Sequence, residues 1–378
     1  MQVLMATETT MFRQFTAIGL GIAILTTGAA CDQPQQADQP TPIFSTSDPY
    51  ADGNFARPWT HLDFTNDPDN FQFAVITDRT GGHRPGVFPA ILKKVNLMQP
   101  EFVMSVGDYI EGYTRDENRL RNEWAEVDGM ISVLDAPLFF VVGNHDVANE
   151  VMEDVWRERA AKTQYHFVYK NVLFLILNTE DPAYPSHEVQ DLYADAMVFV
   201  ENGDLASAIK LGRENPLLAN YVSESGKVMI GDSQADWAMS ILDEYKDVRW
   251  TFVFLHRPLW TRPTPNFTRI EQALQGRGFT MMAGHVHNYT YEQRQGQDFI
   301  SMGTNGGMWD TSPKPGEMDH ITWITMMDDG PVFANLVATG ILAKDEIPAA
   351  ITGAELCGDF YDLPCLYNDR PSAPTAPE

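Results

Sequence analysis

Ala136-Pro137-Leu138-Phe139-Phe140-Val141-Val142 runs straight into Gly143-Asn144-His145-Asp146. A breaker opens the stretch, an unbroken apolar run follows, and a glycine-led polar turn closes it. That pattern reads as a buried strand ending in a sharp turn. Asn144, His145 and Asp146 are then presented at the edge of a sheet, where open α/β folds place their chemistry. Taken alone, the tetrapeptide reads as well as a polar turn.

Four other stretches repeat the shape. Phe71–Thr77 runs into Asp78, Phe102–Val106 into Gly107-Asp108, Trp250–Leu255 into His256, and Phe279–Ala283 into Gly284-His285-Val286-His287. Together the five endings supply Asp78, Asp108, Asn144, His256, His285 and His287 as candidate metal ligands, with His145 beside them. Aspartate oxygen, amide oxygen and imidazole nitrogen suit borderline divalent metals such as Mn, Fe, Ni or Zn. A pair of such cations about 3.5–4 Å apart can clamp both oxygens of an in-line displacement at phosphorus, and so close a pair needs a bridging carboxylate.

The order Asp, Gly-Asp, Gly-Asn-His-Asp, lone His, Gly-His-x-His resembles the calcineurin-like metallophosphoesterase superfamily over about residues 70 to 310. One block departs: where the family shows Asp-x-His, this chain has Asp78-Arg79-Thr80. The resemblance implies a four-layer α/β/β/α sandwich of two mixed β-sheets. It also implies hydrolysis of a phosphate monoester or diester by a metal-bound hydroxide at a dinuclear centre, with Mn, Fe or Zn as the two ions and a small phosphorylated substrate. Asp108 would bridge, Asp78 and His287 would bind one ion, and Asn144, His256 and His285 the other. His145 would protonate the leaving oxygen or stabilise charge at the phosphate. Asp146 would orient His145 through its second nitrogen. Arg79 would meet a phosphate oxygen, or else pair with a neighbouring carboxylate. Thr80 stands where relatives have a ligand His, and Thr is a poor ligand for such metals. His83, after two glycines that allow a tight turn, either folds back as the substitute or lies on the pocket rim. The rival reading is a non-catalytic relative that binds a ligand or partner in the same pocket; the altered block supports it, and His145 with Asp146 weigh against it.

The chain has 378 residues, with 26 Lys+Arg against 52 Asp+Glu and a formal net charge of −26. Such acidity argues against binding duplex nucleic acid, which needs basic patches, and against docking on anionic head groups. Residues 17–30 are uncharged and mostly apolar, too short a run to span a membrane and suited to a signal-peptide core within residues 1–30. Gly28-Ala29-Ala30-Cys31 resembles a lipoprotein cleavage site, and the polar, Pro-rich residues after it read as a tether. Residues 31–69 are thus a tether and extended lead-in. The expectation is an exported protein, periplasmic or on the cell surface, held to a membrane only through a lipid on Cys31; ordinary cleavage after Ala30 is the alternative. Cys357 and Cys365, in a C-terminal segment over residues 341–378, either form a disulfide closing a small loop or stay as thiols.

Within a domain over residues 70–340, helical periodicity marks Phe88–Leu97, Asn118–Leu134, Val151–Lys162 and Ser233–Tyr245, the last N-capped by Asp232 or Ser233. Tyr165–Val168 and Val172–Leu177 read as a hairpin. Residues 181–228 fit no core strand and read as an insertion beside the active site, with helices near Val189–Asn202 and Leu205–Arg213. Gly303-Thr304-Asn305-Gly306-Gly307 is either a tight turn or a backbone approach to substrate. The β-α-β alternation predicts parallel strands with right-handed crossovers.

Overall fold

Phe71, Phe73 and Val75 enter one apolar cluster while Ala74 and Ile76 enter another. Side chains alternate across a strand, so a strand apolar on both faces requires a layer on each side. The computed structural model supplies both layers. It describes residues 60–347 apart from 63, 65, 182–183, 225–229, 310–313 and 338–339. The expected signal peptide, Cys31 and the Cys357/Cys365 pair lie outside the described residues, and among those residues no helix is long and apolar enough to cross a membrane. The chain divides into units Met1–Phe64 and Thr65–Glu378, and every element named below belongs to the second.

The strands in chain order are β1 (Phe71–Val75), β2 (Phe102–Met104), β3 (Leu138–Phe139), β4 (Tyr165–Tyr169), β5 (Val172–Ile176), β6 (Trp250–Phe254), β7 (Phe279–Ala283), β8 (Thr290–Arg294), β9 (Gln297–Ser301), β10 (Ile321–Met327), β11 (Gly330–Val337) and β12 (Gly340–Leu342). They form two six-stranded sheets ordered β12-β11-β10-β1-β2-β3 and β4-β5-β6-β7-β9-β8. Both sheets are mixed. β1, β2 and β3 run parallel, as do β5, β6, β7 and β9, while β10 lies antiparallel to β1 and β4 to β5.

Three apolar clusters define four layers. Between the sheets lie Phe71, Phe73, Phe102, Phe174, Phe252 and Phe254, with the Phe73 and Phe102 rings stacked at 5.0 Å and Phe73 edge-on to Phe252 at 5.2 Å. Offset-stacked and edge-to-face pairs contribute about 0.5–1.5 kcal/mol beyond burial. On the outer face of the first sheet, α1 (Val87–Met98), α2 (Glu117–Ile131) and α3 (Glu150–Ala160) bury Phe88, Ile91, Leu120, Trp124 and Trp156. The insertion folds as α4 (His187–Glu201), α5 (Leu205–Glu214) and α6 (Pro216–Glu224). On the outer face of the second sheet, α7 (Asp232–Glu244) and α8 (Pro265–Ala273) bury Ala238, Ile241, Phe267 and Ile270.

Several expectations shift. α6, α8, β8 and β12 were not foreseen. The apolar run 136–142 pairs only at Leu138 and Phe139, because the Ser105 hydroxyl takes the Val141 N–H in place of a ladder partner. The expected Asp232 or Ser233 cap on α7 is absent. Gly231 is the N-cap residue, and the Asp232 carboxylate instead accepts from the Asn266 amide at 2.8 Å.

One buried polar group at the back of the domain sets an acid limit. His320 is fully buried; its Nε2 accepts the Gly303 N–H at 2.9 Å, and its Nδ1 faces Asn335 Oδ1 at 3.2 Å. Burial pushes its pKa down from 6.5 to about 4, against a smaller opposing pull from Asn335. The folded state therefore favours the neutral ring. The stability this group contributes is present above pH 6.5 and is lost as pH falls from 6.5 toward about 4, amounting to about 2–3 kcal/mol between pH 7 and pH 4.5. Urea unfolding at those two pH values, at fixed metal content, is expected to show that much less pH dependence in His320→Gln. An unchanged pH dependence in the variant would assign the acid loss to other groups.

Candidate metal centre

Because β1 and β2 run parallel in one sheet, and β6 and β7 in the other, their carboxyl ends bring the five polar loops together. Ligand atoms of Asp78, Asp108 and His287 lie within 4.8 Å of one another, as do those of Asp108, His256 and His285. Asp108 belongs to both groups. Asn144 joins the second through its Oδ1, 3.0 Å from His256 Nε2, while its Nδ2 donates to the Tyr113 hydroxyl.

Three of these residues occupy the left-handed region: Asp108 at φ 61°, His285 at 73° and His287 at 55°. Non-glycine residues held there cost on the order of 1–3 kcal/mol each and persist only where the surroundings over-determine them. The restraints are visible. Asp146, fully buried, accepts the N–H groups of Asp108 (2.8 Å), Tyr109 (2.9 Å) and Gly143 (2.8 Å), tying the second and third loops together. Asp108 Oδ1 accepts from His145 N at 2.9 Å, and Asp78 Oδ1 from His285 N at 2.7 Å. Gly143 and Gly284 are required by space: a Cβ at either would collide with the carboxylate of Asp108 or Asp78 respectively.

The donor set fits cations. His256 Nδ1 donates to the Val106 carbonyl at 2.8 Å, so its Nε2 meets Asp108 Oδ2 at 3.1 Å and Asn144 Oδ1 at 3.0 Å. A lone pair cannot face two oxygens at that range unless positive charge stands among them, as a proton or a metal ion. Without metal the charge falls on the ring: burial lowers the His256 pKa, but Asp108 outweighs it and lifts the value to about 9. Burial raises Asp108 in turn, and the charges of His256 and His145 more than offset this, holding it far below the usual carboxylate range. Burial, reinforced by the neighbouring Arg257 and His256, drives His285 well below its ordinary value and leaves its lone pair available. His287 Nδ1 donates to the Met308 carbonyl, turning Nε2 toward Asp78 Oδ1 at 3.5 Å. Both His256 and His287 thus have their second nitrogen bonded to a backbone carbonyl, the arrangement that orients metal-ligating histidines.

One expected role does not match the geometry, and for two residues read with alternatives the geometry favours one of them. Asp146 does not orient His145, since His145 Nδ1 bonds the Glu111 carbonyl at 2.8 Å and both Asp146 oxygens are taken by backbone. Burial and the charge of Asp108 raise the Asp146 pKa to about 7. Arg79 turns away from the pocket: it donates to the Tyr109 carbonyl at 2.8 Å and pairs with Glu126 on α2 at 2.7 Å. His83 is not in either ligand group; its ring and backbone N–H both bond Glu111 at 2.8 Å, and its side chain is 35% exposed at the rim. The glycine-rich loop braces a ligand rather than opening to substrate, for Asn305 N and Thr304 Oγ1 both donate to the Asp78 carbonyl at 2.8 Å.

Other residues went unforeseen. Glu111, three residues past Asp108, pins Gly82 and His83. Burial raises its pKa, but the bond from His83 and the charge of His145 win, leaving it well below the usual range. Arg257 directly follows His256; its Nη1 lies 3.0 Å from His285 Nε2, while Nε and Nη2 grip Glu180 at 2.7 and 3.2 Å. Tyr113 stands edge-on to His145 at 4.8 Å and packs on Tyr193 of α4 at 4.2 Å, so the insertion roofs the site. Adjacency to a ligand was the only sequence signal for Glu111 and Arg257, and it does not tell which way a side chain points.

No curated protein matches the chain. Among solved structures, similarity extends to a dimetal phosphatase from Danio rerio (13% identity, TM-score 0.46, covering 74% of this chain and 99% of that one). It extends also to GAP50, the anchor in the inner membrane complex of Plasmodium (10%, 0.48, 74% and 88%), and to a purple acid phosphatase from yellow lupin seeds (12%, 0.48, 74% and 54%). At these scores the likenesses carry no argument about chemistry. The decisive match is to the family model for calcineurin-like phosphoesterases, which aligns with residues 46–289. Spanning more than half of the sequence and covering all five of the polar strand ends, that match shows that this chain belongs to the calcineurin-like phosphoesterase family.

Proposed function

We propose that the protein hydrolyses a phosphate monoester or diester at this centre, and the observation that carries the proposal is the sharing of Asp108 between two Asp/His groups. Asp78, Asp108 and His287 would hold one divalent cation, and Asp108, Asn144, His256 and His285 the other. When bound, such a pair supplies Lewis acidity at the phosphoryl oxygens and a strong oxygen nucleophile at neutral pH. The chain's own residues do the rest. His145, with Nδ1 committed to the Glu111 carbonyl, keeps Nε2 for the leaving oxygen as a proton donor. If His285 Nε2 held a cation, Arg257 Nη1 would be free to meet a phosphoryl oxygen, with Glu180 fixing the guanidinium from behind.

The test is purified protein assayed with Mn, Zn and Fe against generic aryl phosphate monoesters and diesters. Chelation is expected to abolish turnover and Mn to restore it; full activity after exhaustive metal removal would sink the mechanism. For Arg257, calorimetry with inorganic phosphate on the metal-loaded protein is expected to show roughly tenfold or greater weakening in Arg257→Ala, in line with loss of a charge-assisted bond. Metal stoichiometry should stay at two. Unchanged phosphate affinity would leave Arg257 as a brace for Glu180 alone.

A further inference from the structure

Beside His285 and His287 opens a cleft of about 290 Å³. Its walls come from three segments far apart in sequence. Leu205 and Ile209, on α5 of the insertion, line it together with Val286, Met308 and Trp309, and Asn288, Lys314 and Glu317 complete the lining. Its volume is near the lower end of the roughly 300–1,000 Å³ typical of small-molecule sites, and such sites are mostly apolar with a few placed polar groups. Here the polar groups are His285 and His287 of the candidate metal centre, with Asn288, Lys314 and Glu317.

The cleft is built rather than incidental. Trp309 is 3% exposed, and the Arg84 guanidinium stacks over its ring at 3.9 Å while forking onto buried Asp319. Ile209 and Val286, by contrast, expose 39% and 40% of their surface, apolar area left beside a cluster of charged ligands. The approach from the α4 side is roofed: a Cβ on Gly82 would touch Val200 of α4 and Met308, and Tyr193 covers Tyr113. Gly81 connects the two chemistries. A Cβ there would stand 3.1 Å from His287 Cε1 and 3.4 Å from His145 Nε2. His145 Nε2 and His287 Cε1 thus flank one point beside Gly81, and His287 also lines the α5 cleft.

We infer that this cleft receives the alcohol portion of the substrate, and that this portion is a compact aromatic or apolar group. The inference rests on the phosphoesterase reading and adds a substrate class and a role for the insertion. A flat apolar group removes the surface of Leu205, Ile209, Val286 and Met308 from solvent, whereas a small polar alcohol would leave much of that area against water.

The experiment is calorimetry on the full, metal-loaded chain with two phosphonates that cannot be hydrolysed, methylphosphonate and 1-naphthylphosphonate. The naphthyl compound is expected to bind on the order of tenfold or more tighter. In Ile209→Gln, at an exposed position of α5, and in Leu205→Ala, the preference should shrink several-fold while methylphosphonate binding stays unchanged, which also shows that the variants are folded. Equal affinity for both compounds in the wild type would overturn the inference while leaving the phosphoesterase reading intact. So would an undiminished naphthyl preference in both variants. Absence of binding by methylphosphonate and by inorganic phosphate would instead remove the phosphate site, and the inference with it.

Discussion

Replacing His145 with alanine is expected to lower turnover by about 10²–10⁴-fold, the usual contribution of a general acid or base, while both metal ions stay bound. The contacts of the ring are consistent with that task rather than with ligation. Its Nδ1 bonds the Glu111 carbonyl at 2.8 Å, fixing the tautomer, and Tyr113 stands edge-on against it at 4.8 Å. It belongs to neither ligand group, although its backbone N–H supports Asp108. Since alanine keeps that N–H, the Asp108 loop should be undisturbed. The defect should also be smaller for an aryl ester whose leaving group is a weak base, because such an oxygen needs less help from a proton donor. Metal analysis of the variant alongside the two rate measurements checks this. Loss of a metal ion on removing His145 would make it a ligand, and an equal defect for good and poor leaving groups would make it a phosphate-binding rather than proton-donating group.

Changing Asp108 to asparagine is expected to empty both metal positions and reduce activity to background. The carboxylate is the element common to the two ligand groups, and close-lying cations need a bridging anion to offset their repulsion. An amide would bring no charge, and one orientation would turn its N–H groups toward the incoming cations. His287→Ala, which touches one group, should lose one ion and leave the other. Stoichiometry by elemental analysis after dialysis, for the two variants side by side, separates a bridge from an ordinary ligand. Two ions retained in Asp108→Asn would refute the bridging role.

The five polar strand ends were legible because they are local in sequence. Each is an apolar run that stops at a candidate ligand residue, and the run and its stop can be read without knowing what packs against them. The two-faced apolar character of Phe71–Ile76 was likewise enough to require a layer on each side. α6, α8 and β8 were not legible, because short helices and an exposed strand carry little periodicity. The length of β3 was not legible either, because a side chain elsewhere, Ser105, takes one of its backbone partners.

By itself, then, the sequence determined the parallel β-α-β units and the candidate ligand types and their order, since apolar periodicity and residue chemistry are properties of neighbours along the chain; the four-layer sandwich was implied by the family resemblance those residues carry. Only the tertiary structure decided which residues around those ligands serve them. Asp146 became a clamp on two backbone loops, Arg79 was drawn outward to Glu126, and His83 was claimed by Glu111. Arg257 was brought to His285, and an insertion helix was laid beside the pocket. The polar outcomes depend on which hydrogen-bonding group lies within about 3 Å of the side chain. That distance is set by the packing of segments tens to hundreds of residues apart, which no short stretch of sequence encodes.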